Sequence, residues 1–513
     1  MTSEPAPPFV PCAVAEVDID LERPLGDLAG LGAYTRVLVL VRLRGVPVGY
    51  VSAPVTDGAV TGRALGRRIS ESLEDRLVRR AIAARLLSGA SVPTTTSNPV
   101  LTIIVCTRNR PEDLADCLSS LEPLVDERHE VLVVDNAPSD DRTERVVHAR
   151  NRPMRYVRED RPGLSWARRC GVALANGQFV AFVDDDVRVD AAWAEAVVSA
   201  FAEAGVMAVL GLVAPAELDT RAQQDFEWHG GFGRGFDRRW LRRATHQAAA
   251  PAFANTGTFG TGANMAFRRT IFSEVGLFDT ALGAGTPAEG GEDLDMIFRI
   301  LEAGHTVVYE PAALVWHRHR RDDAALRSQV ISWGRGMSAY LARSWVAYPE
   351  ARQGLLTLAA QLLCLYHPRR VLQSVFDPRL RLRLTIPEWY GAWTGARRYL
   401  TTAEPVEPSP SGRSMPGEVR GRPAGSAPQP RARVDLDGPL PDALAMPSGA
   451  STIGIEVILG GQPIGVVHLP ADGQRLSPHR LVDTIVASVD VRRLDADGAV
   501  KRSIRATLTG VDR

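Results

Sequence analysis

The sequence predicts an α/β fold in which mainly parallel strands are joined by crossover helices. Short β-branched runs alternate with helical patterns from Pro99 to Trp316, as they do in chains that form such sheets. Acidic residues follow several of the apolar runs, where strands would end. The 513 residues also exceed a single typical domain, so we expect small α+β units and a helical C-terminal extension beside this core.

The first two predicted strands end in polar residues. Residues 101–105 form the first strand, and Pro111–Leu121 carries leucines at helical spacing, which puts Arg108 at the end of the strand. Residues 130–134 form the second strand, and Asp135 follows it. Ligands of open α/β sheets collect at the carboxyl ends of strands, so both side chains are candidates for binding.

Three consecutive carboxylates follow a later strand. The pattern next predicts a helix, a strand and a second helix, over 142–149, 155–157 and 163–175. A strand over 178–183 then leads into Asp184, Asp185 and Asp186. Adjacent like charges repel, and buried carboxylates are costly unless they are paired or bind a cation. A satisfied acidic turn is the alternative, but the triplet favours a cation with a diphosphate.

A second acidic cluster opens a helix predicted over 294–303. The cluster consists of Glu292, Asp293 and Asp295, and the glycine-rich segment 283–291 precedes it as a loop able to close over a substrate. One acid in a first helical turn is a routine capping choice, but capping does not explain three. We assign Asp293 and Glu292 to catalysis, as candidates for a base.

The same residues predict a divalent metal site. Asp186 lies on the short loop after its strand and suits Mn²⁺ or Mg²⁺, hard ions that prefer carboxylate oxygens. Asp184 would hold a ribose or a metal-bound water. His317 can complete the shell, because Mn²⁺ accepts imidazole beside carboxylates. His319 stays open as the alternative, since alternate residues of an extended chain share one side.

These motifs resemble, in order, the motif series of family 2 glycosyltransferases. The segments are 106–111, 134–136, 184–186 and 291–295, followed by His317. The resemblance covers residues 99–320 and implies the GT-A nucleotide-diphospho-sugar transferase fold. It also implies an inverting, metal-dependent enzyme that moves a sugar from a UDP-, dTDP- or GDP-sugar donor to an acceptor hydroxyl whose identity the sequence leaves open.

The resemblance implies a role for each matched residue. The donor nucleotide would contact Thr107, Arg108, Asp135, Asp184 and Asp185. Asp184 and Asp186 match the Asp-x-Asp metal motif, Asp293 matches the inverting base, and His317 matches a late metal-site histidine. A glycine-rich turn over 257–265 lets backbone approach a sugar, although an ordinary tight turn fits equally. We assign Gly262, Asn264 and Asp295 to the loop for the donor sugar and the acceptor.

Two other functions are weighed against this one. Sugar-1-phosphate nucleotidyltransferases share the fold class, but they carry a glycine-rich loop with Arg and Lys after the first strand, which residues 106–111 lack. A non-catalytic nucleotide-sugar-binding scaffold or sensor, acting through terminal repeats, is the second. Binding of a donor without turnover would distinguish it from an enzyme.

The two ends of the chain contain similar segments. Residues 41–51 align without gaps on 457–467, and both contain Gly-x-Pro-aliphatic-Gly between apolar runs. Each copy predicts a hairpin followed by a helix. We therefore expect an N-terminal α+β repeat domain (1–95), a GT-A core (99–320), a helical extension of the core (321–402), a disordered linker (403–449) and a C-terminal α+β repeat similar to 37–73 (450–513).

Charge and cysteine content limit the partners and the compartment. Sixty basic and sixty acidic residues balance, so nothing points to nucleic acid. Five scattered cysteines and the absence of a secretory pattern at the N-terminus indicate the cytoplasm. No window reaches the roughly 18 to 20 apolar residues of a transmembrane segment. The segment 354–366, with Arg369 and Arg370 after it, predicts either core packing or peripheral contact with the inner face of the membrane.

Overall fold

The computed structural model describes residues 11–19, 23–87, 100–203, 205–242, 255–377, 381–402, 431–438, 440, 444–445, 452–470, 475–496 and 498–509. They belong to two compact units. The larger unit takes in Thr94–Gly235 and Arg239–Gly412, and the smaller unit takes in Cys12–Pro93, Phe236–Arg238 and Arg413–Arg513. Each unit is described by itself below.

The strands of the described residues are, in chain order, β1 (Cys12–Ile19), β2 (Arg36–Leu43), β3 (Val46–Pro54), β4 (Leu101–Thr107), β5 (His129–Asn136), β6 (Arg155–Glu159), β7 (Phe179–Asp184), β8 (Val187–Val189), β9 (Val206–Pro215), β10 (Arg239–Leu241), β11 (Asn264–Arg268), β12 (Thr306–His317), β13 (Arg431–Asp435), β14 (Leu444–Ala445), β15 (Thr452–Leu459), β16 (Gln462–Pro470) and β17 (Arg475–Leu476).

The α-helices of the same residues are α1 (Gly62–Leu87), α2 (Pro111–Leu121), α3 (Arg142–His148), α4 (Leu164–Leu174), α5 (Trp193–Ala200), α6 (Arg221–His229), α7 (Ile271–Val275), α8 (Glu292–Glu302), α9 (Asp323–Ala347), α10 (Arg352–Gln361), α11 (His367–Phe376), α12 (Leu382–Thr402), α13 (Pro478–Ser488), α14 (Val491–Leu494) and α15 (Ala499–Thr509). A π-helical turn, Leu362–Tyr366, joins α10 to α11.

The larger unit is built on a nine-stranded sheet. Its order is β10-β12-β9-β11-β7-β4-β5-β6, with β8 paired to β12. β4 lies parallel to β5 and β7, and β5 lies parallel to β6. β4 is a mostly apolar run in which every residue from Leu101 to Val105 is buried, as expected where helices cover both faces of a parallel sheet. The predicted α/β fold is confirmed.

The strand register places the acidic residues at one edge of this sheet. Thr107 at the end of β4 lies opposite Asp135 of β5, and Cys106 lies opposite Asp184 of β7. On the faces of the sheet, Ile103 packs in the same core as Leu118 of α2, whereas Ile104 packs in the core that includes Ala167 of α4. Strand pairing therefore brings the separate polar segments together.

The C-terminal part of the larger unit is helical, as expected for 321–402. α9 and α12 cross closely where glycines leave space: a Cβ at Gly334 would lie 2.1 Å from the Glu388 carbonyl oxygen, and one at Gly391 would lie 2.2 Å from the Ile331 carbonyl oxygen. Larger residues at these positions would force the helices apart. Among the described residues, none of the helices has the length and apolar content needed to cross a membrane.

The smaller unit contains both terminal repeats. β1 pairs parallel with β2, which pairs antiparallel with β3, and β13, β15 and β16 repeat that arrangement. The hairpins are interrupted at matching positions, after Val41 and after Val457. Leu65 of α1 and Leu481 of α13 are fully buried in one shared core. The two repeats therefore pack on each other within this unit.

The disordered linker predicted over 403–449 extends too far toward the C-terminus, because part of that range forms a strand. Residues 431–435 form β13, which pairs with β15 from Arg431 opposite Gly454 to Asp435 opposite Ile458. The local sequence is rich in Pro, Gly and Arg, which disfavours a strand, but pairing with a buried strand outweighs that local preference. Residues 403–430 lie outside the described part of the chain.

Candidate active site

A cleft of about 280 Å³ opens at the carboxyl ends of β4, β5 and β7. Several predicted site residues line it: Thr107, Arg108, Asp184, Asp185, Asp186 and His317. Cys106, Arg110, Asn136, Phe232, Arg320 and Gln329 complete much of the wall. The structure therefore brings the acidic triplet, the end of the first strand and the late histidine into one site.

Two members of the triplet are held by Arg110. Its Nη1 lies 2.5 Å from Asp185 Oδ1 and its Nη2 lies 3.0 Å from Asp186 Oδ2, while the Thr107 hydroxyl donates to Asp185 at 2.7 Å. Burial raises the pKa of Asp185 to about 7, against the opposing charge of Arg110. Asp184 is the member whose side chain is most exposed, at 39%.

Asp186 lies beside His317, and a chain of hydrogen bonds runs from His317 through His319 to Glu227. His317 Nε2 lies 3.3 Å from Asp186 Oδ1, and His317 Nδ1 lies 2.7 Å from His319 Nδ1. His319 Nε2 in turn lies 2.8 Å from Glu227 on α6. Burial alone raises the pKa of Asp186, but the charges of His317 and Arg110 outweigh burial and hold it well below its usual value. Burial lowers the pKa of His319.

The donor set at Asp186 fits a divalent cation. Asp186 Oδ1 is buried and has no hydrogen-bond partner among the described residues, and the His317 imidazole lies beside it. No group of three or more His, Cys, Asp or Glu side chains in the described part of the chain is arranged to hold a metal by itself. Mg²⁺ in phosphate-binding sites commonly takes only one or two carboxylates and completes its shell with phosphate oxygens, so a shared protein and diphosphate site fits these residues.

The side of the cleft that we predicted to bind the nucleotide lies at the ends of β4 and β5. Arg108 is exposed and lines the cleft. Asp135 is fully buried; its Oδ2 accepts a hydrogen bond from the Tyr156 hydroxyl at 3.1 Å, whereas its Oδ1 has no partner among the described residues. Burial raises the pKa of Asp135. Its neighbour Asn136, which we did not predict, supplies the lining of the cleft at this strand.

The second acidic cluster starts α8 and is oriented by contacts with α4 and the 257–265 turn. Gly291 has a positive φ of 89°, and a Cβ there would lie 2.3 Å from the Gly336 carbonyl oxygen, so this turn requires glycine. Asp293 is half-buried and accepts hydrogen bonds from the amides of Gly262, at 2.7 Å, and Leu294, at 2.8 Å. It is not among the described residues that line the cleft.

Glu292 forms a buried ion pair. Arg168 of α4 donates to Glu292 Oε1 at 2.6 Å and to the Gly262 carbonyl at 3.2 Å. Arg168 Nη2 also lies 3.9 Å from Asp184. Burial raises the pKa of Glu292 to about 7, although Arg168 opposes the shift. Arg168 therefore joins the two acidic clusters through one side chain.

Comparison with known proteins agrees with this arrangement. The sequence profile described as glycosyl transferase family 2 matches residues 102–276. Over these residues the chain is similar to glycosyl transferase family 2. The match takes in the end of β4, Asp135 and the acidic triplet, and it ends before Glu292, Asp293 and His317. The similarity therefore covers the strand ends that carry Thr107, Asp135 and the acidic triplet.

Relatives of this domain include named glycosyltransferases. A pre-mycofactocin glycosyltransferase of Mycobacterium tuberculosis is 28% identical over 249 residues, which are 46% of this chain and 47% of that protein. The succinoglycan biosynthesis protein ExoM of Rhizobium meliloti is 30% identical over 220 residues, 41% of this chain and 64% of that protein. The chain thus spans about half the length of the first and under two thirds of the second.

A solved structure is similar at a lower level. It is the mannosyltransferase PcManGT from Pyrobaculum calidifontis in complex with GDP-Man and Mn²⁺, with 17% sequence identity, a TM-score of 0.40, and coverage of 65% of this chain and 98% of that one. A likeness at that level does not bear on the ligands of the present family 2 domain.

Two of the residues predicted for the donor-sugar and acceptor loop have structural roles inside the larger unit. Asn264 is 1% exposed; its amide donates to the Leu212 and Ala313 carbonyls, at 3.0 and 2.8 Å, and accepts from Trp193 at 2.9 Å. Asp295 is fully buried and ion-paired with Arg299 at 2.9 Å and Arg343 at 3.0 Å. Both side chains are used inside the unit, and neither is among the described residues that line the cleft.

Four residues of the site were missed by the sequence analysis. They are Arg110, Arg168, Glu227 and Asn136. Arg110 stands beside Arg108 in a segment that the pattern singled out, so its position was visible although its role was not. Asn136 likewise stands beside Asp135 in the segment 134–136, whereas Arg168 and Glu227 lie in helical patterns with no local signal, and only helix packing brings them to the site.

Proposed function

We propose that this protein is an inverting, metal-dependent glycosyltransferase that moves a sugar from a nucleotide-diphosphate donor of the UDP, dTDP or GDP type to an acceptor hydroxyl. The observation that carries the proposal is the meeting of Asp184, Asp186, His317 and Thr107 in one cleft at the carboxyl ends of parallel strands; all of these residues except His317 lie in the part of the chain that matches family 2. Such strand ends are where α/β sheets bind nucleotides.

The nucleotide would lie against β4 and β5. The unpartnered Asp135 Oδ1 is a free acceptor in a buried place, which suits a base or ribose donor group that replaces the missing hydrogen bond. Thr107 is committed to Asp185, so its part is to orient that carboxylate. Arg108 is exposed at the cleft, and its guanidinium matches a diphosphate in charge and geometry.

Asp186 and His317 would hold Mn²⁺ or Mg²⁺. When bound, the cation neutralises the charge that develops on the departing diphosphate. Arg110 holds Asp185 and Asp186 in place by its two ion pairs, and its positive charge favours the ionised form of both carboxylates against burial, which lowers the cost of holding three adjacent carboxylates. Asp184, the most exposed of the three, is the one able to face the ribose or a water.

Asp293 is the proposed base. Hydrogen bonds from the Gly262 and Leu294 amides orient its carboxylate, and its half-buried position leaves it accessible. Glu292 is tied to Arg168, so we assign it to positioning the first turn of α8. General-base help typically contributes about 10²- to 10⁴-fold, which makes loss of Asp293 a loss of turnover more than of binding.

The test is release of nucleotide diphosphate from a panel of UDP-, dTDP- and GDP-sugars with Mn²⁺. Wild type should turn over one donor, and a chelator should abolish the release. Asp293→Asn should lower turnover by about 10²-fold or more and keep donor affinity by calorimetry. Asp141→Asn, an exposed carboxylate paired with Arg145 at 2.9 Å, is the matched control and should behave as wild type.

Other outcomes would change the assignment. Full activity of Asp293→Asn would remove it as the base. Metal-dependent donor binding by wild type without turnover, with a range of hydroxyl acceptors present, would favour the non-catalytic scaffold. Absence of donor binding would show that the cleft has been misassigned.

For the compartment we propose the cytoplasm. All five cysteines are free thiols, which suits a reducing environment.

A further inference from the structure

The helices that follow the family 2 domain carry an unusual amount of exposed apolar side chain. The set, called here the apolar helix surface, is 50% to 81% exposed and consists of Leu365, Leu372, Val375, Phe376, Ile386, Tyr390, Trp393 and Leu400. Isolated exposed apolar residues are common, but a cluster on neighbouring helices marks a site of interaction.

The spacing of these residues puts them on defined helix faces. Leu372, Val375 and Phe376 follow one another at intervals of three and one on α11, and Ile386, Tyr390 and Trp393 follow at four and three on α12, so each group lies on one side of its helix. α12 packs on α9 through its opposite side, where Gly391 is buried.

The two helices are fixed as neighbours by buried polar contacts. Arg370 of α11 lies 3.3 Å from Glu388 of α12, and His229 Nε2 lies 2.9 Å from the same carboxylate. Arg370 also donates to the His229 carbonyl at 2.5 Å. His229 ends α6, the helix that carries Glu227. The exposed faces therefore belong to a rigid part of the larger unit, close in sequence and contact to the cleft.

Positive charge is concentrated in the same segment. Residues 351–402 contain eight arginines and two acidic residues, Asp377 and Glu388, although the whole chain has a formal net charge of +0. Ion pairs with carboxylates of the larger unit hold Arg370, Arg381, Arg383 and Arg398, so the positive charge presented to solvent comes from exposed arginines such as Arg369 and Arg397. A second copy of this chain on the surface would bring two positive faces together, whereas anionic lipid headgroups would attract them.

We propose that the apolar helix surface docks on an anionic lipid bilayer, lying in the interface and not crossing it. Apolar side chains beside arginines, with Tyr390 and Trp393 among them, are the chemistry of interfacial helices. The docking does not depend on which sugar is transferred. It does place the cleft of the larger unit at a membrane, where an amphiphilic acceptor would be found.

The test is flotation of the full-length chain with vesicles of phosphatidylcholine alone and of phosphatidylcholine mixed with phosphatidylglycerol. Wild type should bind the anionic vesicles and release as salt is raised. Phe376→Ser and Trp393→Ser should each weaken binding by about tenfold or more, and Arg369→Gln should weaken it on anionic vesicles. Val466→Ser, at an apolar residue that is 54% exposed elsewhere in the chain, is the matched control.

Circular dichroism melting of every variant should show an intact fold, as expected for exposed positions. Equal binding of wild type and the serine variants, or no binding to anionic vesicles by a folded protein, would overturn the proposal. So would a dimer, measured by light scattering, that both serine variants dissociate, because the surface would then belong to a second copy. Loss of donor turnover in a vesicle-bound protein would concern the proposed function alone.

Discussion

Loss of Glu227 should weaken divalent metal binding although Glu227 is not a proposed ligand. A metal on His317 Nε2 requires that nitrogen to be unprotonated, so the His317 proton sits on Nδ1 and is donated to His319 Nδ1, 2.7 Å away. The His319 proton then sits on Nε2 and is donated to Glu227 at 2.8 Å. A single choice of tautomer for the two histidines thus satisfies every hydrogen bond from His317 to Glu227.

The magnitude follows from such carboxylate–histidine contacts. Removing an outer partner of a ligating histidine typically costs about 10- to 100-fold in metal affinity, which is about 1.4 to 2.7 kcal/mol. Glu227→Leu should show that loss, and Glu227→Gln should show a smaller one because an amide oxygen still accepts from His319. The order of the two variants tests the hydrogen bond itself.

The assay is titration of Mn²⁺ into purified protein, with free Mn²⁺ followed by electron paramagnetic resonance. His317→Ala sets the scale for loss of a proposed ligand. Glu217→Gln, near the start of α6 and paired with Arg321 at 2.7 Å, controls for loss of a nearby carboxylate. Unchanged affinity in Glu227→Leu, with His317→Ala impaired, would refute the tautomer argument, and unchanged affinity in both would remove the metal site from these residues.

Three further outcomes are expected. Arg168→Met should destabilise the larger unit by about 3 to 5 kcal/mol in chemical denaturation, because it leaves buried Glu292 unpaired. Adding Glu292→Leu should recover most of that loss. A double variant whose loss of stability equals the sum of the two single losses would contradict this. Since burial raises the pKa of Glu292 to about 7, that group's contribution to stability should fall as pH rises from about 4.5 to about 7, and Glu292→Gln should flatten that interval. Arg505 holds the pKa of Glu74 at about 2, so the contribution of Glu74 to the stability of the smaller unit should be present above about pH 4.5 and lost toward pH 2. Glu74→Gln should lower the free energy of unfolding by up to about 1 kcal/mol at neutral pH, and Glu71→Gln, at an exposed position, should lower it by less.

Apolar runs and strand-end acids were sufficient to predict the core. β4 and β7 carry mostly apolar sequences that are typical of buried parallel strands, and both are found where the pattern placed them. Chain order alone, however, does not reveal that β11 inserts antiparallel between β7 and β9. That insertion buries Asn264, because its side chain then faces β9 and β12 inside the sheet.

The terminal repeats illustrate the same limit on a smaller scale. The Gly-x-Pro-aliphatic-Gly hairpins and the helix positions after them were readable, because turns and helical spacing are local properties. The strands β1 and β13 could not be predicted in this way, since each is held by parallel pairing to a strand further along the chain. Their local sequences carry too little signal to mark them as strands.

The sequence by itself determined the residue types at the strand ends, and so the chemistry available at the cleft: three adjacent carboxylates, a histidine pair and an arginine-rich turn. Tertiary structure decided which of those groups work together. Asp293 and Asp295 are two residues apart, yet one is oriented by the Gly262 amide and the other is buried between Arg299 and Arg343. Burial and ion pairing depend on neighbours distant in the chain, and strand register and helix packing alone supply those neighbours.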